Sequence, residues 1–329
     1  ARTHWISTRD QPNPRLVVIC TSPPMTATTK LVDSTVLAVL RVNSKKASGA
    51  PTKTTRSSAS ITRQTLPCGD MGTSDAARIL LVVPTLGQRT SFLRQCLQSI
   101  RDQDVPAEVV LVRPADCQAV DDIAVEFHAT VLDDPGSLPG AINAGIAAHG
   151  AGYDFVTWLG DDDLLEPGSF AAVAGVLDAQ PQAVAAFGHC RYVDDQGRTL
   201  WVSKAGRLAP YVLPWGPDLV PQPGMLIRTH AWQWVEGLDE SYRFAFDLDL
   251  LLKLKSVGRL VAVPTVVSAF RWHGDSLTVG DRTTNLAESE RAKRSHLPRA
   301  LKPLALIWEA PVRWATRLAA NRVSARSTT

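Results

Sequence analysis

At 329 residues the chain has room for one large domain or two ordinary ones, and with 45% apolar residues it can bury a sizeable core. A formal net charge of only +3 excludes the strongly basic character of a nucleic-acid binder. Five cysteines, Cys20, Cys68, Cys96, Cys117 and Cys190, with no C-x-x-C pair, argue against a disulfide framework or a zinc site and for a reducing, cytoplasmic compartment. No run of about 18 apolar residues predicts a membrane-spanning helix.

Residues 1–77 are rich in Ser, Thr, Arg, Lys and Pro and hold no sustained period of two or of 3.6. They read as disordered, without the apolar stretch and small-residue cleavage site of a signal peptide. Met71 stands just before the first strong strand, so the upstream residues are expected to be an extension outside the working protein. From residue 78 the pattern changes. Arg78–Val83 is a branched apolar run closed by Pro84, as expected of a strand buried on both faces. Thr90 or Ser91 is placed to cap a helix along which Leu93, Cys96, Leu97 and Ile100 recur at helical spacing. Strands are predicted at 108–112, 128–132 and 154–159, and helices at 139–149 and 169–179. Alternating strands and helices predict an α/β layered fold with a mostly parallel sheet. In such sheets ligands bind beyond the carboxyl ends of the strands.

Three groups of residues then carry chemistry. Gly160-Asp161-Asp162-Asp163 follows the fourth strand. Adjacent carboxylates repel unless a cation or donors compensate, and their oxygens suit hard ions such as Mg²⁺ or Mn²⁺. A solvated acidic turn or a helix cap is the plainer reading. Phe246-Asp247-Leu248-Asp249 opens a leucine-rich helical pattern. Its two acids diverge around the helix, so one can face a cleft while the other caps or pairs. Arg271-Trp272-His273-Gly274-Asp275-Ser276 follows a strand-like run over 265–270. A lone His is usually structural, but Arg and His beside a phosphate-bound cation would be functional.

The order of these pieces resembles the inverting glycosyltransferase family 2, whose fold is of the GT-A type. The opening strand ending in Pro84-Thr85-Leu86-Gly87-Gln88-Arg89 is similar to that family's P-T-x-N-R. Gly160–Asp163 stands at its D-x-D-D, and Arg228 to Tyr242, with Gly237, Asp239 and Glu240, at its R…G-x-D-E-x-(Y/F). Phe246–Leu254 stands at E-D-x-D-L-x-L-R-L, and Arg271–Ser276 at R-x-H-x-x-S. The resemblance covers about residues 78–280. It departs in three places: Val112-Arg113-Pro114-Ala115-Asp116 replaces D-D-G-S, Ala141-Ile142-Asn143 replaces A-R-N, and Gly160 replaces the first acid of the metal motif.

The resemblance implies an inverting transferase of hexosyl type that uses a nucleotide diphosphate-sugar donor and a saccharide or lipid-linked acceptor, as in bacterial cell-envelope polysaccharide. It implies Asp247 as general base, and Mg²⁺ or Mn²⁺ held by Asp162 with Asp161 or Asp163 and with His273. Pro84, Thr85, Arg89 and Asp161 would hold the nucleotide, with Arg113 and Asp116 at the altered base-contact position. Trp215 can stack on an acceptor sugar or pack under a loop. The alternative is a protein that keeps the fold and binds nucleotide-sugar without turnover. A dinucleotide-dependent dehydrogenase would need G-x-G-x-x-G after the first strand, which Pro84–Arg89 is not.

The domains are expected at 1–77, at 78–282 for the transferase, and at 283–329 for a helical tail. Its residues 291–329 carry nine basic residues, from Arg291 to Arg326, against one acid, Glu309. Trp314 and Leu318 fall four apart, as do Arg313 and Arg317, so apolar and basic residues take different sides. This predicts weak peripheral contact with the inner face of the cell membrane, against the plainer expectation of a helix packed on the catalytic domain.

Overall fold

The computed structural model describes residues 2–6, 17–21, 77–204, 206, 208–272, 282–304, 307, 309, 311 and 314. The chain divides into two compact units, Ala1–Asp70 and Met71–Thr329. In the first, β1 (Arg2–Ile6) and β2 (Val17–Thr21) form an antiparallel ladder, where the sequence pattern gave no strand.

The second unit is a layered α/β sheet. Its strands are β3 (Ile79–Pro84), β4 (Ala107–Arg113), β5 (Thr130–Asp133), β6 (Phe155–Trp158), β7 (Leu164–Leu165), β8 (Ala183–Val193), β9 (Thr199–Ser203), β10 (Leu226–Arg228) and β11 (Arg259–Arg271). They are ordered β5-β4-β3-β6-β10-β8-β11-β7, with β9 paired to β8. Strands β3, β4, β5, β6, β8 and β11 run one way, and β7, β9 and β10 the other. The mostly parallel sheet and its flanking helices are of the GT-A type.

The helices are α1 (Thr90–Arg101), α2 (Gln118–Phe127), α3 (Leu138–His149), α4 (Ser169–Ala179), α5 (Ala209–Val212), α6 (Thr229–Trp234), α7 (Phe246–Val257) and α8 (Arg282–His296). Two cores lie on opposite faces of the sheet. One joins Leu80, Val82, Val110 and Phe187 to α3 and α7. The other joins Ile79, Leu81, Val83 and Leu111 to α1, α2 and α4. Successive β3 side chains thus enter opposite cores, which is why the strand reads as continuously apolar. Gly145 of α3 makes the close approach possible, since a Cβ there would meet Val82 at 2.8 Å.

Several expected boundaries shift. Helix α1 starts at Thr90 itself and its N-cap, Arg89, makes no side-chain cap bond; that guanidinium is used on carboxylates instead. The strand expected from 128 starts at 130, because His128 takes φ 57° and closes α2. Strand β11 begins at 259 rather than 265 and runs parallel to β8, a strand the sequence pattern did not show. The segment β8 contributes is rich in Ala and Gly, poor strand formers. Those small residues are required: a Cβ on Gly188 would meet Val267 of β11 at 2.5 Å.

Helix α8 packs along α7. Arg291 donates to Ser241 O at 2.8 Å, Lys293 donates to Gly216 O at 2.5 Å, and Arg294 pairs with Glu309. Arg291, Lys293 and Arg294 thus bond protein groups, with Arg291 and Arg294 still exposed; residues 315–329, with Leu318, lie outside the described residues. Among the described residues no helix is long and apolar enough to cross a membrane.

Candidate active site

Parallel strands bring Thr85, Arg113, Asp161, Asp194 and Arg271 to one edge of the sheet, the carboxyl ends of β3, β4, β6, β8 and β11. Two cavities, about 420 and 400 Å³, lie elsewhere. The first is at the amino ends of β3, β4 and β5 and the second between α3 and α6. The chemistry gathers at the carboxyl edge.

There the acidic triplet is held by two arginines. Thr85 Oγ1 donates to Asp161 Oδ2 at 2.6 Å. Arg89 bridges Asp161 Oδ1 at 3.2 Å and Asp162 Oδ2 at 2.8 Å. Asp163 is turned inward, where its Oδ1 accepts the Arg271 backbone N–H at 3.0 Å. Burial, with the charges of Asp162 and Asp161, pushes the Asp163 carboxyl well above its usual range. Arg271, 2% exposed, lies under the triplet. Its guanidinium donates to Asp162 O, Asp195 O and Gln95 Oε1 and stacks 4.1 Å over the Phe92 ring. The arginine of the R-x-H segment is thus a buried counter-charge rather than a group facing a ligand.

Thr85, Arg89, Asp161 and Asp162 are brought together as expected. Pro84 is the last residue of β3 and places Thr85 there. Arg113 is instead paired with Asp121, at 2.9 Å, and with Asp133. Asp116 sits in an exposed turn at φ 59°. His273 lies outside the described residues. Among the described residues no three His, Cys, Asp or Glu side chains converge as a metal cage. Of the expected ligand set, Asp161 and Asp162 share Arg89 and Asp163 bonds the Arg271 amide.

Across the edge stands the first turn of α7. Its two acids have opposite surroundings. Asp249, 3% exposed, meets His296 Nε2 at 2.8 Å and Lys253 Nζ at 2.9 Å. Burial pushes its carboxyl up, but the bonds from His296 and Lys253 outweigh that and hold it below its usual value. Among the described residues Asp247 has no cationic partner of this kind. Its Oδ1 accepts the Leu248 N–H at 2.7 Å, and burial raises its pKa to about 6.

The loop between α5 and β10 adds a residue the sequence pattern did not single out. Asp218 accepts the Val220 N–H at 3.0 Å, and burial together with the Asp247 charge raises it to about 7. Asp218 itself is open to solvent. The Asp247 charge acts on Asp218, so the fold brings the two carboxylates near one another. Nothing local in Trp215-Gly216-Pro217-Asp218 signals this, because the pairing is made only by the fold. Trp215 is 40% exposed beside it. Asn143 ties the Arg228–Tyr242 motif to α3, donating to Leu238 O at 3.0 Å and Glu240 Oε1 at 3.1 Å and accepting Leu238 N–H at 3.0 Å. Ile142, at the position of the missing arginine, is fully buried.

A GT-A-type sheet with an acidic triplet at the end of β6 and an acid on the first turn of α7 defines the class of protein. Residues 80–241 match the family model for glycosyl transferase family 2. The chain is 29% identical over 192 residues to the O-antigen biosynthesis protein RfbC of Myxococcus xanthus, a stretch covering 54% of this chain and 14% of RfbC. Its fold is similar to that of S. aureus TarS 1–349 in complex with UDP, with TM-score 0.51, 16% identity, and coverage of 70% of this chain and 69% of the other. A second TarS structure gives TM-score 0.50 at 17% identity, covering 70% and 42% of the two chains. Residues 80–241 are thus a glycosyltransferase family 2 domain. The chain spans about a seventh of the RfbC relative's length.

Proposed function

We propose that the chain transfers a sugar from a nucleotide diphosphate-sugar to an acceptor hydroxyl with inversion. The observation that carries this reading is the pairing of two unlike acid sites on one edge: an arginine-bridged carboxylate cluster, and an unbridged acid, Asp247, raised to about 6. Thr85 and Arg89 hold the nucleotide side. Mg²⁺ and Mn²⁺ commonly use one or two carboxylates together with phosphate oxygens, and Asp161 and Asp162 at the rim fit that donor set. When bound, such an ion would offset the charge that grows on the departing diphosphate.

Asp247 takes the acceptor proton. A pKa near 6 leaves it mostly ionised at neutral pH while close enough to neutrality to be an effective base. Asp249, locked to His296 and Lys253, is not available for that role. One displacement by the acceptor oxygen inverts the anomeric centre and needs no covalent enzyme intermediate. The name of the RfbC relative supports a saccharide or lipid-linked acceptor of the bacterial cell envelope. The enzyme is expected to work in the cytoplasm at the membrane's inner face.

A thermal-shift series with UDP and GDP, each with and without Mn²⁺, tests the reading, since ligands of the folded state raise its stability. Stabilisation by a nucleotide that requires the metal and is lost in Asp162→Ala is expected. Nucleotide binding without any release from the parent nucleotide-sugar, with water or sugar as acceptor, would leave the binding-protein reading.

A further inference from the structure

Strand alternation puts a row of aromatic rings on the sheet face that carries α7. Tyr192 of β8 lies opposite Trp201 of β9 on one side and opposite Phe270 of β11 on the other. Directly opposed residues of neighbouring strands share a face. The rings are in contact: Tyr192 stacks on Trp201 at 5.2 Å between centroids, 5.4 Å from Phe270 and 6.0 Å from Trp272. Ser268 precedes Phe270 by two residues and so shares its face. The Ser268 hydroxyl donates to Pro223 O at 2.7 Å, which ties the loop bearing Asp218 to this same face. Burial holds the Tyr192 phenol well above its usual value, and the charges of Cys190, Asp218 and Asp163 push it the same way. The ring therefore stands in the field of both acid sites.

These four side chains belong to neither core. Trp201 is 43% exposed and the other three are partly exposed. Large rings left open in a row at the rim of a polar site suit a ligand with one apolar face and a polar edge, because tyrosine and tryptophan are themselves built that way. A pyranose ring has such a form, with C–H bonds on its faces and hydroxyls around its rim.

We propose that Trp201, Tyr192, Phe270 and Trp272 form a platform on which a saccharide ring of the acceptor stacks, directing its hydroxyl toward Asp247. This deepens the transferase reading and rests on it. Tyr192, Trp201 and Phe270 stand on β8, β9 and β11, and Trp272 directly follows β11, so most of the platform is carried by regular sheet.

The test uses saturation-transfer NMR on the full chain with methyl glycosides of glucose, galactose, mannose, rhamnose and N-acetylglucosamine at millimolar concentration. Ring C–H protons of at least one glycoside should receive saturation. Trp201→Ala should weaken that binding by about tenfold or more, and Trp201→Phe should retain most of it. Trp234→Ala, at an exposed tryptophan of α6, should behave as the parent. No saturation of any glycoside by the parent chain, or equal binding by Trp201→Ala, would overturn the platform. Thermal shifts with UDP and GDP in Mn²⁺ on the same proteins keep the two ideas apart. Nucleotide stabilisation without Trp201-dependent sugar binding removes the platform alone. Trp201-dependent sugar binding without nucleotide stabilisation removes the transferase reading and leaves a saccharide site.

Discussion

The carboxylates after β6 and those beside the first turn of α7 face the same edge, and each set is partly taken out of water. They differ in their partners. Asp161 and Asp162 share Arg89, and Arg271 is packed beneath them. Among the described residues Asp247 and Asp218 have no arginine against them, and Lys293 acts on Asp218 through its charge. A carboxylate with an arginine in contact stays ionised and serves as a fixed charge. A carboxylate desolvated beside another acid has its pKa moved toward neutrality and can exchange a proton. Within α7 the same contrast recurs over two residues, Asp249 being held low and Asp247 high. The division suggests one region for holding charge and one for moving protons.

The largest expected effect breaks the proton-moving side. Asp247→Asn should keep nucleotide binding and lose transfer or donor hydrolysis by about 10²–10⁴-fold, the scale of general-base catalysis. Initial rates at saturating donor measure it. Near-parent turnover would move the role to Asp218.

The charge-holding side is broken by Arg271→Met, which keeps the backbone donor to Asp163 but removes the buried guanidinium. Stripping one partner from a buried charged set costs about 3–5 kcal/mol. Urea unfolding should show that loss. A variant as stable as the parent would mean that the triplet is not held by charge.

The comparison is sharpened by pH. Asp247 is raised on folding, so the folded state binds its proton more tightly than the unfolded chain does. Its contribution is therefore fully present below the unfolded value near 4 and is lost as pH rises through about 6. Asp247→Asn should then be more stable than the parent by about 1–3 kcal/mol at pH 8, with the gap closing toward pH 4. Thermal melts at the two pH values check the sign; a gap that widens in acid would contradict the raised pKa.

Much of the charge-holding side was legible from local pattern. Strand β3, helix α4 over 169–179 and the triplet after β6 are each written in a contiguous run, and Thr85, Arg89 and Asp161 meet because consecutive parallel strands end together. Asp247, the proposed base, was marked as a candidate by the resemblance of Phe246–Leu254 to the family's motif. The partners that decide between Asp247 and Asp249 were not: His296 and Lys253 select Asp249 for structure, and His296 comes from α8, 47 residues away. Asp218 and the aromatic row were hidden for the same reason. Tyr192, Trp201 and Phe270 are neighbours only through the pairing of β8 with β9 and β11, and β8 is too rich in Ala and Gly to announce itself as a strand.

Glu288 of α8 joins the two lessons and gives the smallest expected effect. Its carboxylate accepts the backbone N–H groups of Arg243, Phe244 and Ala245, at distances from 2.7 to 3.1 Å, in the turn that leads into α7. Those donors would otherwise stand open beside the helix start. Burial pushes the Glu288 carboxyl up, but the bonds from Phe244, Arg243 and Ala245, with the charge of Arg291, hold it below its usual value. The sign is opposite to that of Asp247: its contribution is present above the unfolded value near 4.5 and is lost as pH falls through the lower folded value. Glu288→Gln keeps the shape and one acceptor oxygen while removing the charge, so it should cost about 1 kcal/mol at pH 7 and almost nothing near pH 3. Because the turn it braces ends two residues before Asp247, kcat should fall severalfold while nucleotide affinity stays the same. A stability loss that persists unchanged into acid, or a nucleotide affinity that falls with kcat, would show that Glu288 only helps to dock α8 and does not position the base.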